Sequence, residues 1–286
     1  MLVSVIIPTY NRAEIIKDAI NSVLNQTYQE FEILVVDDKS EDQTEDVIRA
    51  FQDPRVKFLT NKRTKGAQGA RNTGLYGAKG DWVAMLDSDD VWLPSKLEKQ
   101  VKYVSNCNPD VVGLSAGNAK YDFDTNKVIN YNIPAKRRYG VHDLLYKNYL
   151  SGFSTFFFRR ESALMINGFD ERFPAMQDID FYISMAGIGE VHSIPEVLVY
   201  VRTSNNDRIT TNYSKKLIAS KIFNQKYNSL ITKSFQLKNK AISRLLVYGW
   251  RRNKLSSLRY FHWFIAGMFI DPSNLRWVIS NIKNNR

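Results

Sequence analysis

The spacing of apolar residues changes regularly along the first ninety positions. Four short runs are almost continuously apolar and rich in β-branched residues, which is typical of buried strands. These runs are 3–7, 32–36, 56–59 and 82–86. The segments between them place apolar residues three or four positions apart, which predicts helices. These segments are 13–25, 40–51 and 66–78. Strands that alternate with helices predict an α/β fold with a parallel sheet covered on both faces.

The pattern continues less regularly after residue 90. It predicts a helix from about 95 to 105, strands within 111–131, a strand at 155–159, a helix at 177–186 and a strand at 192–201. Basic amphipathic helices follow, so we expect a body at 1–213 and a helical region at 214–286. We also expect Pro8 to end the first strand and Ser40 to cap the second helix.

Charge separates the same two regions. The chain carries 40 Lys and Arg and 29 Asp and Glu, a net charge of +11. Residues 214–286 hold 15 Lys and Arg against one acid, Asp271, so 1–213 has a net charge of −3. The tail suits a helical subdomain with solvated lysines, or an anionic membrane surface. Its aromatic residues between 260 and 277 suit a lipid interface or a homo-oligomer contact.

Several protein classes are excluded by composition. A content of 44% hydrophobic and 24% charged residues excludes a disordered chain. The single cysteine, Cys107, excludes a disulfide framework and favours a reducing compartment. The late apolar run at 260–270 is shorter than the roughly 20 residues of a spanning helix. We therefore expect a cytoplasmic protein, with peripheral attachment to the inner face of the membrane as an option.

Polar residues follow three of the predicted strands. They are Pro8-Thr9-Tyr10, Asp37-Asp38 and Asp87-Ser88-Asp89-Asp90. Ligands of parallel α/β sheets bind beyond the carboxyl ends of the strands. Asp87 and Asp89 point the same way in an extended chain, and crowded carboxylates favour a cation such as Mg²⁺ or Mn²⁺. The alternative is a solvated acidic turn before the next helix.

Three further segments carry weaker signals. Asp38 could accept a hydrogen bond from a base N–H or a ribose hydroxyl, or simply end a strand. The glycine-rich segment 66–72 could bring Arg71 close to a phosphate. Asp178, in the first turn of a predicted helix, could be a general base or only a carboxylate stabilised by the helix dipole.

In order and spacing, these segments closely resemble the signature of glycosyltransferase family 2. The matching segments are 5–12, 35–40, 70–74 and 86–90, and 168–173 with 177–181 resembles the acceptor-side motifs of the family. The resemblance covers about residues 2–210. It implies a GT-A fold, with a Rossmann-like nucleotide part at about 1–105 and an acceptor part at about 106–213, followed by the basic helical extension.

The resemblance also implies an inverting transferase that uses a nucleotide sugar, most simply a UDP-sugar, with Mn²⁺ or Mg²⁺. The acceptor would be a hydroxyl of a glycan or lipid-linked saccharide, in bacterial surface polysaccharide synthesis. The implied nucleotide-binding residues are Pro8, Thr9, Tyr10, Asp38, Arg71, Asp87 and Ser88. The implied metal ligands are Asp89 first, then Asp87 and Asp90, and the implied catalytic base is Asp178.

Two positions depart from the family pattern, and two other functions stay open. Gln177 stands where Glu is commoner, and Arg202 follows Tyr200 and Val201 without the usual His. A guanidinium there could replace the histidine electrostatically. The alternatives are an inactive nucleotide-sugar-binding scaffold and a nucleic-acid binder that uses the basic tail. The acidic body and the lack of a nucleic-acid motif mean that we expect no nucleic acid as a partner.

Overall fold

A computed structural model describes residues 1–203 and 212–252 of the chain. Its strands are β1 (Val3–Thr9), β2 (Phe31–Asp37), β3 (Val56–Thr60), β4 (Trp82–Met85), β5 (Val91–Trp92), β6 (Val111–Asp122), β7 (Lys127–Asn132), β8 (Arg138–Tyr139), β9 (Phe157–Arg159) and β10 (Glu190–Arg202). Its α-helices are α1 (Ile16–Leu24), α2 (Thr44–Arg49), α3 (Ala67–Gly77), α4 (Lys96–Ser105), α5 (Val141–Tyr146), α6 (Arg160–Met165), α7 (Gln177–Ala186), α8 (Tyr213–Lys226), α9 (Asn228–Ile231) and α10 (Phe235–Arg252). A short 3-10 helix spans Phe153–Thr155.

The strands form one mixed sheet. Its order is β3-β2-β1-β4-β9-β6-β10-β5; in addition, β7 pairs with β6 and β8 pairs with β10. Strands β1 to β4 run parallel, as do β6 and β10, whereas β9 is antiparallel to both β4 and β6. The mostly parallel α/β sheet expected from the sequence is confirmed. Because the first four strands run parallel, their carboxyl ends meet at one edge, called here the rim.

Strand β1 is buried on both faces, which explains its unbroken apolar sequence. Val5 and Ile7 belong to the same core cluster as Ile16 and Ile20 of α1. On the other face, α3 approaches so closely that a Cβ on Gly74 would lie 2.5 Å from a methyl carbon of Ile6. Glycine at this position therefore sets the distance between α3 and the sheet.

Pro8 does not end the first strand as we expected. It pairs with Val36 inside β1, which continues to Thr9. The carbonyl of Ile6 accepts a hydrogen bond from the N–H of Leu86, so the backbone polar groups of Ile6 point toward β4. The backbone of Pro8, two residues later, points to the same side. Since β4 ends at Met85, the missing N–H of Pro8 costs no ladder hydrogen bond.

The described residues form two compact units. The first comprises 1–144, 148–171 and 181–203, and contains the whole sheet. The second comprises 145–147, 172–180 and 212–252, in which α8 packs against α10. No helix in the described ranges is both long and apolar enough to cross a bilayer. The predicted aromatic segment 260–277 lies outside the described residues.

Lys96 is an unusual component of the core of the first unit. Its side chain is completely buried, with Nζ 3.6 Å from the ring centroid of Trp92 and 2.8 Å from Oε1 of Gln100. In the described residues its partners are one aromatic face and one neutral acceptor. Burial therefore lowers the pKa of Lys96 well below its ordinary value of 10.5.

We expect Lys96→Met to stabilise the protein at neutral pH by on the order of 1–3 kcal/mol, because it removes a buried amine whose protonated form has no counter-charge among the described residues. Since the folded state binds this proton more weakly than the unfolded chain, wild-type stability rises with pH toward 10.5. The gain should therefore shrink between about pH 7 and pH 10. Urea denaturation at several pH values measures it.

Lys99→Met is the matched control, because Lys99 lies on the same helix and forms an exposed ion pair with Glu196. Its effect should stay within about 1 kcal/mol and vary little over the same pH range. A clear loss of stability in Lys96→Met at pH 7 would show that the contacts with Trp92 and Gln100 outweigh the burial of the charge.

Candidate active site

The rim gathers the polar residues that follow the first four strands. Thr9 pairs with Asp37 in the register of β1 and β2, and Asp37 pairs with Thr60 of β3. The acidic segment 87–90, called here the Asp loop, directly follows β4 and Leu86. All these residues belong to the first unit. The structure thus brings together the three polar clusters that the sequence placed at strand ends.

Asp38 is held rigidly at the rim. Its side chain is buried, and its carboxylate accepts hydrogen bonds from Nδ2 of Asn61 (2.6 Å) and from the N–H of Gly66 (2.7 Å). Gly66 adopts a φ of +125°, which other residues rarely adopt. Asn61 was not predicted as a site residue, although it directly follows β3 and so lies at a strand end like Asp38. The carboxylate of Asp38 is thus fixed in one orientation.

Ser40 serves the rim rather than α2. Its hydroxyl and N–H both donate to the carboxylate of Asp37, and its oxygen accepts from the N–H of Asn11. Helix α2 begins only at Thr44. The expectation that Ser40 caps this helix is therefore wrong, because the strand-end carboxylate is a nearer partner. These bonds connect the loop after β1 to the loop after β2.

The predicted nucleotide residues at the end of β1 differ in exposure. Pro8 and Thr9 are buried, and Oγ1 of Thr9 has no hydrogen-bond partner in the described residues. Tyr10 is 40% exposed, and Nζ of Lys65 lies 5.2 Å from its ring centroid. The rim therefore presents an accessible aromatic face beside an unsatisfied hydroxyl, which suits a planar ligand with polar edges.

Arg71 projects from α3 toward the Asp loop. Its guanidinium donates to Oε1 of Gln68 (2.6 Å) and to Oδ1 of Asp87 (2.8 Å), and it lies 4.4 Å from the ring centroid of Phe153. Nε of Arg71 and Nε2 of Gln68 are buried without a hydrogen-bond partner in the described residues. Buried donors are rarely left unsatisfied, so this part of the rim suits an anionic or oxygen-rich ligand.

The Asp loop is anchored by Ser154, which the sequence analysis missed. The hydroxyl oxygen of Ser154 accepts from the N–H of Asp87 (3.0 Å), and the hydroxyl donates to Oδ2 of Asp90 (2.6 Å). Oδ1 of Asp90 accepts from the N–H of Arg202 (3.2 Å). Burial raises the pKa of Asp90 well above its usual range, and the charges of Asp89 and Asp87 raise it further.

Arg202, at the end of β10, flanks the same loop. Its Nε donates to the carbonyl of Asp89 (3.2 Å), and its Nη2 donates to Asp18 (2.6 Å). Its guanidinium also lies 3.8 Å from the ring centroid of Phe123. The residue that departs from the family pattern therefore places a positive charge beside the Asp loop.

The donor set of the Asp loop fits a divalent cation that is shared with phosphates. Asp87 and Asp89 keep partial exposure, whereas Ser88 and Asp90 are buried. Within the described ranges, no three side chains of His, Cys, Asp or Glu come together as a complete set of protein ligands. Mg²⁺ typically uses one or two carboxylates and completes its shell with water and substrate phosphates. Because Asp90 already accepts two hydrogen bonds, Asp87 and Asp89 are the better-placed candidates.

Asn72 attaches one acceptor-side motif to α3. Its side chain exchanges two hydrogen bonds, both 2.8 Å, with the backbone of Phe169 and donates to Glu171 (2.7 Å). Gly168 has a φ of +70°, and a Cβ there would lie 2.4 Å from Oδ1 of Asn72. Residues 70–74 and 168–171, which the sequence analysis noted separately, thus form one local structure.

Asp178 lies in the second unit, in the first turn of α7. Met176, just before the helix, has a φ of +62°, which is uncommon for a residue with a side chain. Asp180 is buried and accepts hydrogen bonds from Lys226 (2.9 Å) and Tyr227 (2.8 Å). Of the two acids in this turn, Asp180 therefore has a structural role within the second unit.

A family model described as Glycosyl transferase family 2 matches residues 4–165, which is more than half of the 286 residues. The chain belongs to glycosyltransferase family 2. The matched range of this glycosyltransferase contains all the rim residues discussed above except Arg202. Asp178 lies beyond it.

The glycosyltransferase has a relative with a named reaction and shares its fold with solved enzymes. It is 40% identical over 182 residues to Escherichia coli WfgD, named UDP-Glc:alpha-D-GlcNAc-diphosphoundecaprenol beta-1,3-glucosyltransferase. The aligned residues make up 64% of this chain and 68% of WfgD. S. aureus TarS 1–349 in complex with UDP-GlcNAc matches with a TM-score of 0.63 and 18% identity, over 100% of this chain and 93% of that chain. The mannosyltransferase PcManGT from Pyrobaculum calidifontis, in complex with GDP-Man and Mn²⁺, matches with a TM-score of 0.60 and 20% identity. The match covers 98% of this chain and 84% of PcManGT. The expected GT-A fold is confirmed.

We expect Ser154→Ala to destabilise the glycosyltransferase by about 1–3 kcal/mol, because the N–H of Asp87 and one oxygen of Asp90 lose their partner. Urea denaturation measures the change. Ser229→Ala is the control, since Ser229 is exposed on α9. Equal stability of the two variants would show that Ser154 does not anchor the loop.

Proposed function

We propose that this glycosyltransferase transfers a sugar from a UDP-sugar, with inversion and with the help of Mn²⁺ or Mg²⁺, to a hydroxyl of a lipid-diphosphate-linked saccharide. The setting would be bacterial surface polysaccharide synthesis. The observation that carries the proposal is the convergence of Asp38, Arg71 and the Asp loop at one rim. This rim offers a fixed carboxylate for a base, a guanidinium for a phosphate and two accessible carboxylates for a cation.

The donor is proposed from the two ends of the rim. Near β1 and β2, the fixed carboxylate of Asp38 would accept the N–H of uracil, and the exposed ring of Tyr10 would stack on the base. Near β4, the free Nε of Arg71 would face the diphosphate. The solved TarS complex with UDP-GlcNAc supports this choice, since the fold is shared.

The chemistry follows from these positions. A divalent cation held by Asp89 and Asp87 would neutralise the charge that develops on the departing diphosphate. Arg71 and Arg202 would add positive charge on either side of the loop. Asp178 would remove the proton from the acceptor hydroxyl as its oxygen attacks the anomeric carbon. One displacement at that carbon inverts its configuration.

The acceptor is proposed from the relative WfgD, whose name specifies a sugar linked through a diphosphate to undecaprenol. A lipid-linked acceptor is reached at a membrane surface, which the basic region 214–286 would suit. The division into a catalytic body at 1–213, with parts near 1–105 and 106–213, stays a prediction. So does a contact of the tail with the inner membrane face or with a second copy of the chain. A thermal-shift screen of nucleotide sugars with Mn²⁺, followed by assays of hydrolysis and transfer, tests the proposed activity.

We expect Asp89→Ala to weaken UDP binding at least about tenfold when Mn²⁺ is present, because the cation that links protein and diphosphate loses a ligand. Without metal, the variant and the wild type should bind UDP alike. Calorimetry with and without EDTA measures both. Asp124→Ala, at an exposed position of the first unit, is the control. Unchanged affinity in Asp89→Ala with metal would remove Asp89 from the ligand set.

We expect Asp178→Asn to keep UDP-sugar binding and to lose transfer by about 10²–10⁴-fold, which is the usual contribution of a general base. Single-turnover rates and donor affinity, measured on the same preparation, separate the two effects. Glu161→Gln, on the exposed side of α6, is the control. Turnover near the wild-type rate would move the base elsewhere. Asp180 would be a poor replacement because its oxygens are already bonded.

A further inference from the structure

One face of α8 lies against the turn that carries Asp178. Within the second unit, Oγ of Ser220 donates to Sδ of Met176 (3.5 Å), and Nζ of Lys226 donates to Asp180 (2.9 Å). Met176 and Asp180 stand two residues before and two residues after Asp178. The helix therefore contacts the chain on both sides of the proposed base.

Lys216 belongs to that face of α8. It precedes Ser220 by four residues, and Phe223 and Tyr227 follow at intervals of three and four. Residues at this spacing lie on one side of a helix. Ser220 and Phe223 are completely buried, so the stripe is the packed side of α8. Lys216 is its first member, one turn before the contact with Met176.

The ammonium of Lys216 lies close to two neighbouring aromatic rings. Its Nζ is 5.2 Å from the ring centroid of Tyr213 and 5.6 Å from that of Tyr248, which lies on α10. The two ring centroids are 6.5 Å apart. These rings restrict the side chain and attract the cation, so the ammonium is held in place before any ligand arrives.

This cation has no counter-charge of its own. Lys216 forms no ion pair in the part of the chain that the structure describes, and residues 213–252 contain ten Lys and Arg but no Asp or Glu. Burial lowers the pKa of Lys216, which is the effect of removing an ammonium from water without a partner. An anionic ligand at this position would replace both the lost water and the missing charge.

Tyr248, one of these two rings, is electrostatically close to the proposed base. Burial raises the pKa of Tyr248, Arg244 opposes this rise, and the carboxylate of Asp178 adds to it. The hydroxyl of Tyr248 is therefore within the field of Asp178. In an acceptor whose sugar carries a diphosphate at its anomeric carbon, only one pyranose ring separates the attacking hydroxyl from that diphosphate. A hydroxyl at Asp178 would thus bring the diphosphate into this neighbourhood.

We propose that Lys216, positioned by the neighbouring rings of Tyr213 and Tyr248, binds the diphosphate of the acceptor. The inference rests on the proposed function, because it takes Asp178 as the base and a lipid-diphosphate-linked saccharide as the acceptor. It assigns to the basic region a defined role in acceptor recognition. Lys216 is then a specificity residue, which distinguishes a sugar diphosphate from a neutral glycan.

Binding of decyl diphosphate to the full chain tests the proposal directly. UDP and Mn²⁺ are kept saturating, so that the donor site is filled. Lys216→Met should weaken binding by about 10- to 100-fold, which is the usual effect of losing one charge-assisted hydrogen bond. Lys216→Arg should retain most of the affinity. Lys215→Met is the matched control, since Lys215 is the exposed neighbour with the same charge.

Further arms of the experiment identify the source of any binding. Decyl maltoside, which has the alkyl chain without the diphosphate, should not distinguish the variants. Vesicles of phosphatidylglycerol should bind Lys215→Met and Lys216→Met equally, because a membrane surface responds to the total charge. Equal weakening of decyl diphosphate binding in these two variants would overturn the proposal, as would failure of the wild type to bind it.

The outcome is separable from that of the proposed function. UDP-sugar hydrolysis by the wild-type protein needs no acceptor and therefore tests the donor chemistry by itself. If wild-type protein hydrolyses no UDP-sugar, the proposed donor chemistry is wrong, while the binding comparison between Lys215→Met and Lys216→Met still decides the diphosphate site.

Discussion

The hydrogen bonds that the carboxyl group of Asp90 accepts from Ser154 and Arg202 determine the shape of the rim. They join three separate parts of the first unit, namely the Asp loop, the 3-10 helix at 153–155 and the end of β10. Because Asp90 is buried, neither oxygen can turn to water if one bond is lost, and an unsatisfied buried acceptor costs about 1–3 kcal/mol. The backbone of the Asp loop is thereby fixed, and Asp87 and Asp89 are left partly exposed on either side of Ser88.

This anchoring concentrates negative charge, which two arginines partly balance. Arg71 pairs with Asp87, and Arg202 lies along the backbone of the loop and pairs with Asp18 on α1. A guanidinium has no lone pair to give a metal ion, so Arg202 cannot repeat the coordination that a histidine could provide. If a cation binds here, its remaining positions fall to water and phosphate oxygens. Metal binding and nucleotide binding would then be strongly interdependent in this protein, more than in a family member that has the histidine.

The sequence predicted the framework of the first unit better than its connections. The strands and helices of residues 1–105 follow directly from apolar spacing, and the rule for strand ends collects Thr9, Asp38 and the Asp loop at one edge. Pro8 was misjudged because a proline is tolerated where the neighbouring strand has already ended. Ser154 could not have been found, since it reaches Asp87 across 67 positions of the chain and lies in no recognisable motif. The roles of these residues stay predictions, whereas their convergence is a fact of the fold.

The basic region illustrates a choice that sequence alone left open. Apolar residues of α8 and α10, such as Leu217, Phe223 and Leu246, are buried, so at least 213–252 has the character of a packed helical subdomain rather than of isolated helices lying on lipid. Packing helices that carry charges of only one sign raises their mutual repulsion, and nothing in their own sequence relieves it. Such an arrangement is stable only if burial of apolar surface outweighs the repulsion, and it becomes more stable when an anion binds. An anionic ligand such as the one proposed for Lys216 would relieve this repulsion, as the pairing of Asp180 with Lys226 already does in part.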